Sequence, residues 1–335
     1  MTSIIDNLSA FISSGINSVV SEIQWLLLSN GAADLNDNLI FFGFEHGQAL
    51  PTFVAKVTRS PRNGWIVKKE YEWLNELWGH IGEDAAYFLP KPLGLYHVNA
   101  QYALVISYIN GDGLYYSTKK KLWHELTYTI SIVKEVALSL RKLHEQMVVP
   151  IERDEFVQSE ITRKVGIFIE CYSPTDREIH ALYELISQYS SHDAGYKTLI
   201  QGDFWHGNII RSATHDSLII VDWQYARWAT DVSLDVYLFL LAGAVALVRG
   251  TDEERARAAA GVIEQWSANI IPVYLEAYGK ASRFSLLPLK YGMILCCVDK
   301  AVRAVMDFGY NQDDDGIWRN LFTELVNLKE WALED

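Results

Sequence analysis

Apolar residues follow two rhythms along this chain, and each predicts a different kind of element. Short apolar runs bounded by turn residues read as strands. Leu39 to Phe44 and Thr52 to Val57, with a turn near His46-Gly47, predict a hairpin, and Tyr102 to Tyr108 predicts a buried strand running into a Gly111-Asp112-Gly113 turn. Leu199-Ile200, Ile209-Ile210 and Leu218 to Val221 are three more short strands. Elsewhere the period lengthens to that of a helix. Val67, Tyr71, Leu74 and Trp78 form one stripe, and Leu126, Ile130, Val133, Ala137, Leu140 and His144 form another, on which His144 reads as a satisfied core histidine. Val236 to Val248 is apolar all round and too short to span a bilayer, so it predicts a buried helix. Three helical stretches follow: Glu253 to Tyr278, Leu286 to Phe308 and Ile317 to Leu333.

Thr2 to Leu28 also carries apolar residues at helical spacing, from Leu8 through Ile16 to Leu27. A helix there would pack onto a lobe or onto a second subunit, giving a homodimer. It has no Lys or Arg to draw it to anionic lipid, so no membrane partner is expected.

Length and composition set the scale. With 335 residues, 50% of them hydrophobic, the chain can bury a large core and is long enough for two lobes. No Pro- or Ser-rich linker and no internal repeat appears, so the boundary must be tight, near Asn110 to Gly113. The expected organisation is a helical extension over residues 1–30, an N-lobe over 31–110 and a C-lobe over 111–335. A net charge of −13 argues against nucleic acid and tilts the partner towards a cationic or neutral small molecule. The Asp313-Asp314-Asp315 run reads as a solvated loop. Cys171, Cys296 and Cys297 have neither zinc spacing nor a disulfide framework, which fits a reducing cytoplasm, and the first residues lack the pattern of a signal peptide.

The densest chemistry lies in LIQGDFWHGNII and in LIIVDWQ, whose Asp comes fourteen residues after the Asn of the first. Asp203, Asn208 and Asp222 supply carboxylate, amide and carboxylate. Phosphoryl transfer needs that set: an acceptor for the attacking hydroxyl's proton and oxygen ligands for Mg²⁺. Taken singly, each residue is also ordinary turn punctuation. Gly202-Asp203-Phe204-Trp205-His206-Gly207-Asn208 resembles the catalytic loop of the aminoglycoside phosphotransferase and choline kinase-like superfamily, and Val221-Asp222-Trp223-Gln224 resembles its metal-binding strand end. The resemblance, which spans roughly Leu39 to Leu241, implies a two-lobed protein kinase-like α+β fold, with a small β-rich N-lobe and a larger, mainly helical C-lobe.

It further implies that Asp203 is the catalytic base and that Asn208 and Asp222 hold Mg²⁺. Gln201 stands where the family usually has His and would support the loop, His206 would shape it, and Asp235 would brace it by accepting backbone hydrogen bonds. Asp231 rivals Asp235 for that task, and Asp235 could also merely cap its helix. A kinase-like loop calls for an upstream lysine and a helical glutamate. Lys56 lies in TFVAKVTR; Glu70 and Glu72 compete, and helical geometry favours Glu70 beside the apolar stripe.

The backbone of Ser107, Tyr108 and Ile109 would bind adenine, and Ala32 to Asn38 is the candidate phosphate cover. Rings such as Trp266, Tyr274, Tyr278, Tyr291, Phe308, Tyr310 and Trp318 could cage a quaternary ammonium, although core packing accounts for most of them. The expected function is ATP- and Mg²⁺-dependent transfer to a hydroxyl of a small molecule, aminoglycoside-, choline- or sugar-like. The alternative is a silent kinase-fold module that binds nucleotide or ligand, for which Gln201 and the missing glycine-rich loop speak. The D-F-G and A-P-E elements of protein kinases are missing after Asp222.

Overall fold

The computed structural model describes residues 23–28, 38–98, 101–114, 125–150, 156–191, 196–280, 282–308 and 316–328. Its contacts divide the chain into two compact units, Met1–Leu114 with Asn208–Ala226, and Tyr115–Gly207 with Arg227–Asp335.

The first unit is built on a five-stranded antiparallel sheet. Strands β1 (Ile23–Leu28), β2 (Asn38–Glu45), β3 (Phe53–Thr58), β4 (Pro92–Val98) and β5 (Gln101–Ser107) lie in the order β1-β2-β3-β5-β4. Phe41, Phe53, Ala55, Val57, Ala103 and Val105 alternate onto one face and form its core, with Ile23, Trp25 and Leu39 packed against them. Helix α1 (Gly64–Ile81) buries Ile66, Val67, Glu70, Leu74 and Leu77. Strand β6 (Gly111–Gly113) joins the hairpin of β9 (Ile209–Ser212) and β10 (Leu218–Ile220) in a small second sheet.

Three expectations change here. Ile23 to Leu28 is not helical but pairs antiparallel with β2 over its whole length. Pairing with β2 satisfies the backbone groups that alternate residues turn towards it, and Ile23 and Trp25 reach the core from alternate positions, which outweighs the helical spacing of Ile23 and Leu27. The rest of residues 1–30, and Ala32 to Asp37 of the candidate phosphate cover, lie outside the described residues. The Gly111-Asp112-Gly113 segment is strand, not turn, because it finds β9 as its partner. That pairing also puts β6 and residues 208–226 with the first unit, whereas the sequence reading assigned everything from 111 onwards to the C-lobe.

The second unit is mostly helical. In chain order it holds α2 (Leu126–Gln146), β7 (Val149–Pro150), α3 (Phe156–Tyr172), α4 (Asp176–Ser191), β8 (Tyr196–Ile200), β11 (Arg227–Ala229), α5 (Ser233–Leu247), α6 (Asp252–Ser267), α7 (Ile270–Gly279), α8 (Leu289–Phe308) and α9 (Gly316–Asn327). Strand β8 lies between β7 and β11 and leads straight into the Gln201–Gly207 loop. Helix α5 is buried from Ser233 to Leu241 without a polar face, as its uniform apolar composition requires.

The stretch expected as one helix from Glu253 is two, α6 and α7, separated at Ala268-Asn269, where the Asn269 side chain accepts from the Ile270 N–H. Leu126 is exposed; the buried face of α2 begins at Thr129 and continues through Ile132, Val133, Val136, Ala137, Leu140, Leu143 and His144. Trp266, Tyr274 and Tyr278 are buried among core side chains, so packing accounts for them. Tyr310 and the Asp313 to Asp315 run lie outside the described residues. Among the described residues, no helix is long and apolar enough to cross a membrane.

Candidate active site

In the first unit, Lys56 sits on β3 with its Nζ 2.7 and 2.8 Å from the two carboxylate oxygens of Glu70 on α1. The same Nζ lies 2.9 Å from Asp222 Oδ1. Glu70 is fully buried and Glu72 is exposed, with its carboxylate 3.9 Å from Lys68, so the helix face decides between the two acids. Burial alone would push the Lys56 ammonium down, but the charges of Asp222 and Glu70 more than reverse this and hold it above the ordinary lysine range. Burial pushes the Glu70 carboxyl up while Lys56 opposes it; with both oxygens in contact with Nζ, we read the pair as ionised. The Trp223 N–H, 3.3 Å from Glu70 Oε1, adds a further donor.

The β9–β10 hairpin brings the Asn208 backbone against Val221, the residue before Asp222. The Val221 N–H donates to the Asn208 carbonyl at 2.9 Å, and Ile209 pairs with Ile220 just inside that bond. Asp222 follows in the left-handed region, with φ 65°, a conformation uncommon for a non-glycine residue and frequent at functional sites. Amide and carboxylate oxygens are the hard ligands that magnesium takes, and magnesium needs only one or two carboxylates because it keeps waters and phosphate oxygens. Asn208 and Asp222 fit that requirement, and no larger group of His, Cys, Asp or Glu gathers among the described residues.

The N–H groups of Ser107 and Tyr108 are already used. They donate to the Lys91 and Thr52 carbonyls, each at 2.9 Å. Of the backbone groups expected to meet adenine, these two donors are therefore committed within the first unit.

In the second unit, Asp203 stands in the loop after β8, and one carboxylate holds that loop from below. Asp235 Oδ2 accepts from the Gln201 N–H at 2.7 Å, and Oδ1 accepts from the Gly202 N–H at 2.8 Å. Gly202 is at φ +79°, which admits glycine without strain. Asp231, the rival, accepts instead from the Ser233 N–H at 2.7 Å, next to its own position. His144 is buried, with Nδ1 2.7 Å from the Tyr278 hydroxyl and Nε2 3.4 Å from Asp235 Oδ2.

Gln201 is fully buried and its Oε1 accepts from the Asp203 N–H at 2.7 Å. A neutral amide therefore steadies the backbone of Asp203 where a histidine is usual in the resembled family. His206 is buried with its ring edge-on to Trp205, and burial lowers its pKa to about 4, so it is neutral near neutral pH.

Sequence reasoning missed what faces Asp203 from α8. Lys300 Nζ lies 2.8 Å from Asp203 Oδ1, and Arg303 donates to the Gly202 carbonyl at 2.6 Å. Arg303 also pairs with Asp299, which accepts from Lys164 at 2.7 Å and from Arg227 at 2.9 Å. The signal was available: Asp299, Lys300 and Arg303 are three charges in the otherwise apolar run ILCCVDKAVRAV, at helical spacing that places them on one side.

The ecdysteroid kinase-like family profile matches residues 134–253. No curated protein matches the chain. Among solved structures, a thermostable mutant of aminoglycoside phosphotransferase APH(4)-Ia, in ternary complex with AMP-PNP and hygromycin B, is similar at 16% identity over 96% of this chain and 97% of that one, with a TM-score of 0.59. Aminoglycoside phosphotransferase APH(3'')-Id from Streptomyces rimosus ATCC10970 is similar at 14% identity over 97% of this chain and 99% of that one, with a TM-score of 0.49. At 16% identity the likeness to APH(4)-Ia is one of fold.

Proposed function

We propose that this chain, a member of the aminoglycoside phosphotransferase and choline kinase-like superfamily with its protein kinase-like fold, transfers the γ-phosphoryl of ATP to a hydroxyl of a small molecule. The observation that carries the reading is Lys56 held between Glu70 and Asp222 within 2.9 Å of each. A lysine so fixed is a preorganised cation for phosphate oxygens and needs no rearrangement when the nucleotide arrives.

Asn208 and Asp222 would hold Mg²⁺. The ion they would hold would supply charge neutralisation for the phosphates as negative charge develops. Asp203 takes the proton as the acceptor oxygen forms its bond to the γ-phosphorus and the bond to the β-bridging oxygen breaks, releasing ADP. Asp235 and Gln201 keep the Asp203 backbone in register during that step. The APH(4)-Ia complex, which contains AMP-PNP and hygromycin B, supports a nucleotide and a small-molecule ligand for this chain.

Gln201 and the missing glycine-rich loop are the two features that speak for a silent module. Gln201 Oε1 accepts from the Asp203 N–H, a bracing contact that requires no titratable group, and this weakens the first of the two.

The test combines thermal shift with ATP and Mg²⁺ and ADP release across amines, aminoglycosides, sugars and nucleosides. We expect stabilisation by the nucleotide with magnesium and turnover with a hydroxyl acceptor. Asp203→Asn should keep nucleotide binding and lose about 10²- to 10⁴-fold in kcat, the usual contribution of a general base. Asp222→Ala should weaken binding of the magnesium nucleotide itself. Nucleotide binding with no acceptor turned over by the intact protein would overturn the reading in favour of a binding module.

A further inference from the structure

The geometry points to Lys300 as a positioning residue for Asp203, holding one carboxylate oxygen in place and keeping the group ionised and ready to accept a proton. This rests on the reading of Asp203 as the proton acceptor. The ammonium is 2.8 Å from Oδ1, and Lys300 itself is steadied by the Trp318 ring, whose centre lies 5.7 Å from Nζ. Arg303, one turn along α8, anchors the carbonyl of Gly202, so one helix fixes both the base's side chain and the peptide before it. Asp299 holds Arg303 and is in turn held by Lys164 of α3 and Arg227 of β11. The ion-paired cluster thus ties α8 to two other elements of the same unit and leaves Lys300 directed at Asp203.

Electrostatics agree with the geometry. Burial alone would raise the Asp203 carboxyl; the charge of Lys300 and then that of Arg303 outweigh it, Asp299 opposes them, and the net displacement is downwards. His206, in the same loop, is neutral near neutral pH and adds no charge there. An ionised carboxylate with one oxygen tied to an ammonium can turn only about that contact, which narrows the directions from which a hydroxyl proton can reach it. On transfer the proton moves to Asp203 while the acceptor oxygen gains phosphorus and ADP leaves.

The experiment uses full-length protein with ¹³C-labelled Asp carboxyls. The Asp203 signal is assigned by its loss in Asp203→Asn and titrated without nucleotide or acceptor in wild type, Lys300→Gln and Lys300→Arg. Lys300→Gln keeps length and a donor but removes charge, and near-ultraviolet circular dichroism checks that each variant is folded. We expect the Asp203 midpoint to rise by about 1 pH unit or more in Lys300→Gln, the usual effect of losing an opposite charge at contact, and to return towards wild type in Lys300→Arg.

With an acceptor in hand, the acidic limb of kcat/KM should move with that midpoint while the KM for ATP holds. A midpoint unmoved in folded Lys300→Gln overturns the assignment of Lys300. A midpoint that moves, in a protein that releases no ADP with any acceptor, leaves Lys300 assigned and overturns the kinase reading instead.

Discussion

Lys56 and Glu70 come from different elements of one unit, yet both oxygens of the Glu70 carboxylate lie within 2.8 Å of the Lys56 ammonium, and Glu70 has no exposed surface. A buried charge without its partner is far costlier than the pair. Lys56→Met should therefore cost about 3–5 kcal/mol of stability, more than a surface lysine would, because it strands Glu70. Replacing both, Lys56→Met with Glu70→Leu, should recover most of that loss while leaving nucleotide binding weak. Urea unfolding of the two singles and the double measures the coupling; strictly additive costs would show that the two groups act independently.

Asp235 uses each carboxylate oxygen for a different backbone N–H, those of Gln201 and Gly202. An amide offers a single oxygen, so Asp235→Asn must leave one of the two donors without its acceptor, at a cost of about 1–3 kcal/mol. The amide protons of Gln201 and Gly202 should exchange faster in this variant. Turnover should fall with little change in nucleotide affinity, since Lys56, Glu70 and Asp222 are untouched. Unchanged exchange at both amides would show that another group supports the loop.

The parts of the protein that were legible in its sequence are those where local pattern and tertiary need coincide. Lys56 in an apolar strand, Glu70 at the edge of an apolar stripe and Asp235 opening an apolar helix all announce themselves by being charged where burial is expected. Ile23 to Leu28 failed because six apolar residues satisfy either period, and only the availability of β2 as a partner decides. The committed N–H groups of Ser107 and Tyr108 were invisible because backbone hydrogen bonds carry no side-chain signature. Lys300 is a third case: its charge in an apolar helical run is visible in the sequence, but its partner Asp203 lies 97 positions away, and no periodicity reports a contact at that separation.

Glu178 makes the second unit sensitive to acid. Its carboxylate accepts from Arg319 at 2.7 and 3.1 Å, from the Thr323 hydroxyl at 2.6 Å and from the Thr175 N–H at 2.8 Å, joining α4 to α9. Burial would raise this carboxyl, but Arg319, Thr323 and Thr175 together lower its pKa to about 2. A folded pKa below the unfolded one, about 4.3, means stability that is present in full above the unfolded value and is lost as pH falls towards the folded value. Glu178→Gln should thus cost about 3 kcal/mol near neutral pH. The gap between variant and wild type should then close between about pH 4.3 and pH 2. Urea midpoints across that window check it, and a gap that is constant with pH would refute the linkage.

Gly292 governs how closely α8 approaches α5. A methyl group at this position would fall inside the Tyr237 ring, and that ring cannot swing away: it is 1% exposed and its hydroxyl donates to the Leu287 carbonyl at 2.7 Å. Alanine normally gains about 1 kcal/mol over glycine inside a helix. Overpacking a filled core costs about 1–3 kcal/mol, so the steric term should win and Gly292→Ala should lower the melting temperature. Tyr237→Leu alone should also destabilise, yet combined with Gly292→Ala it should cost less than the sum, because the smaller side chain makes room. The displacement has a second readout. Helix α8 carries Asp299, Lys300 and Arg303, so a shift of that helix against α5 should loosen the contact between Lys300 and Asp203 and move the Asp203 titration upwards, with no change made near the loop itself. A melting temperature equal to or above that of wild type would show that the two helices can separate at no cost.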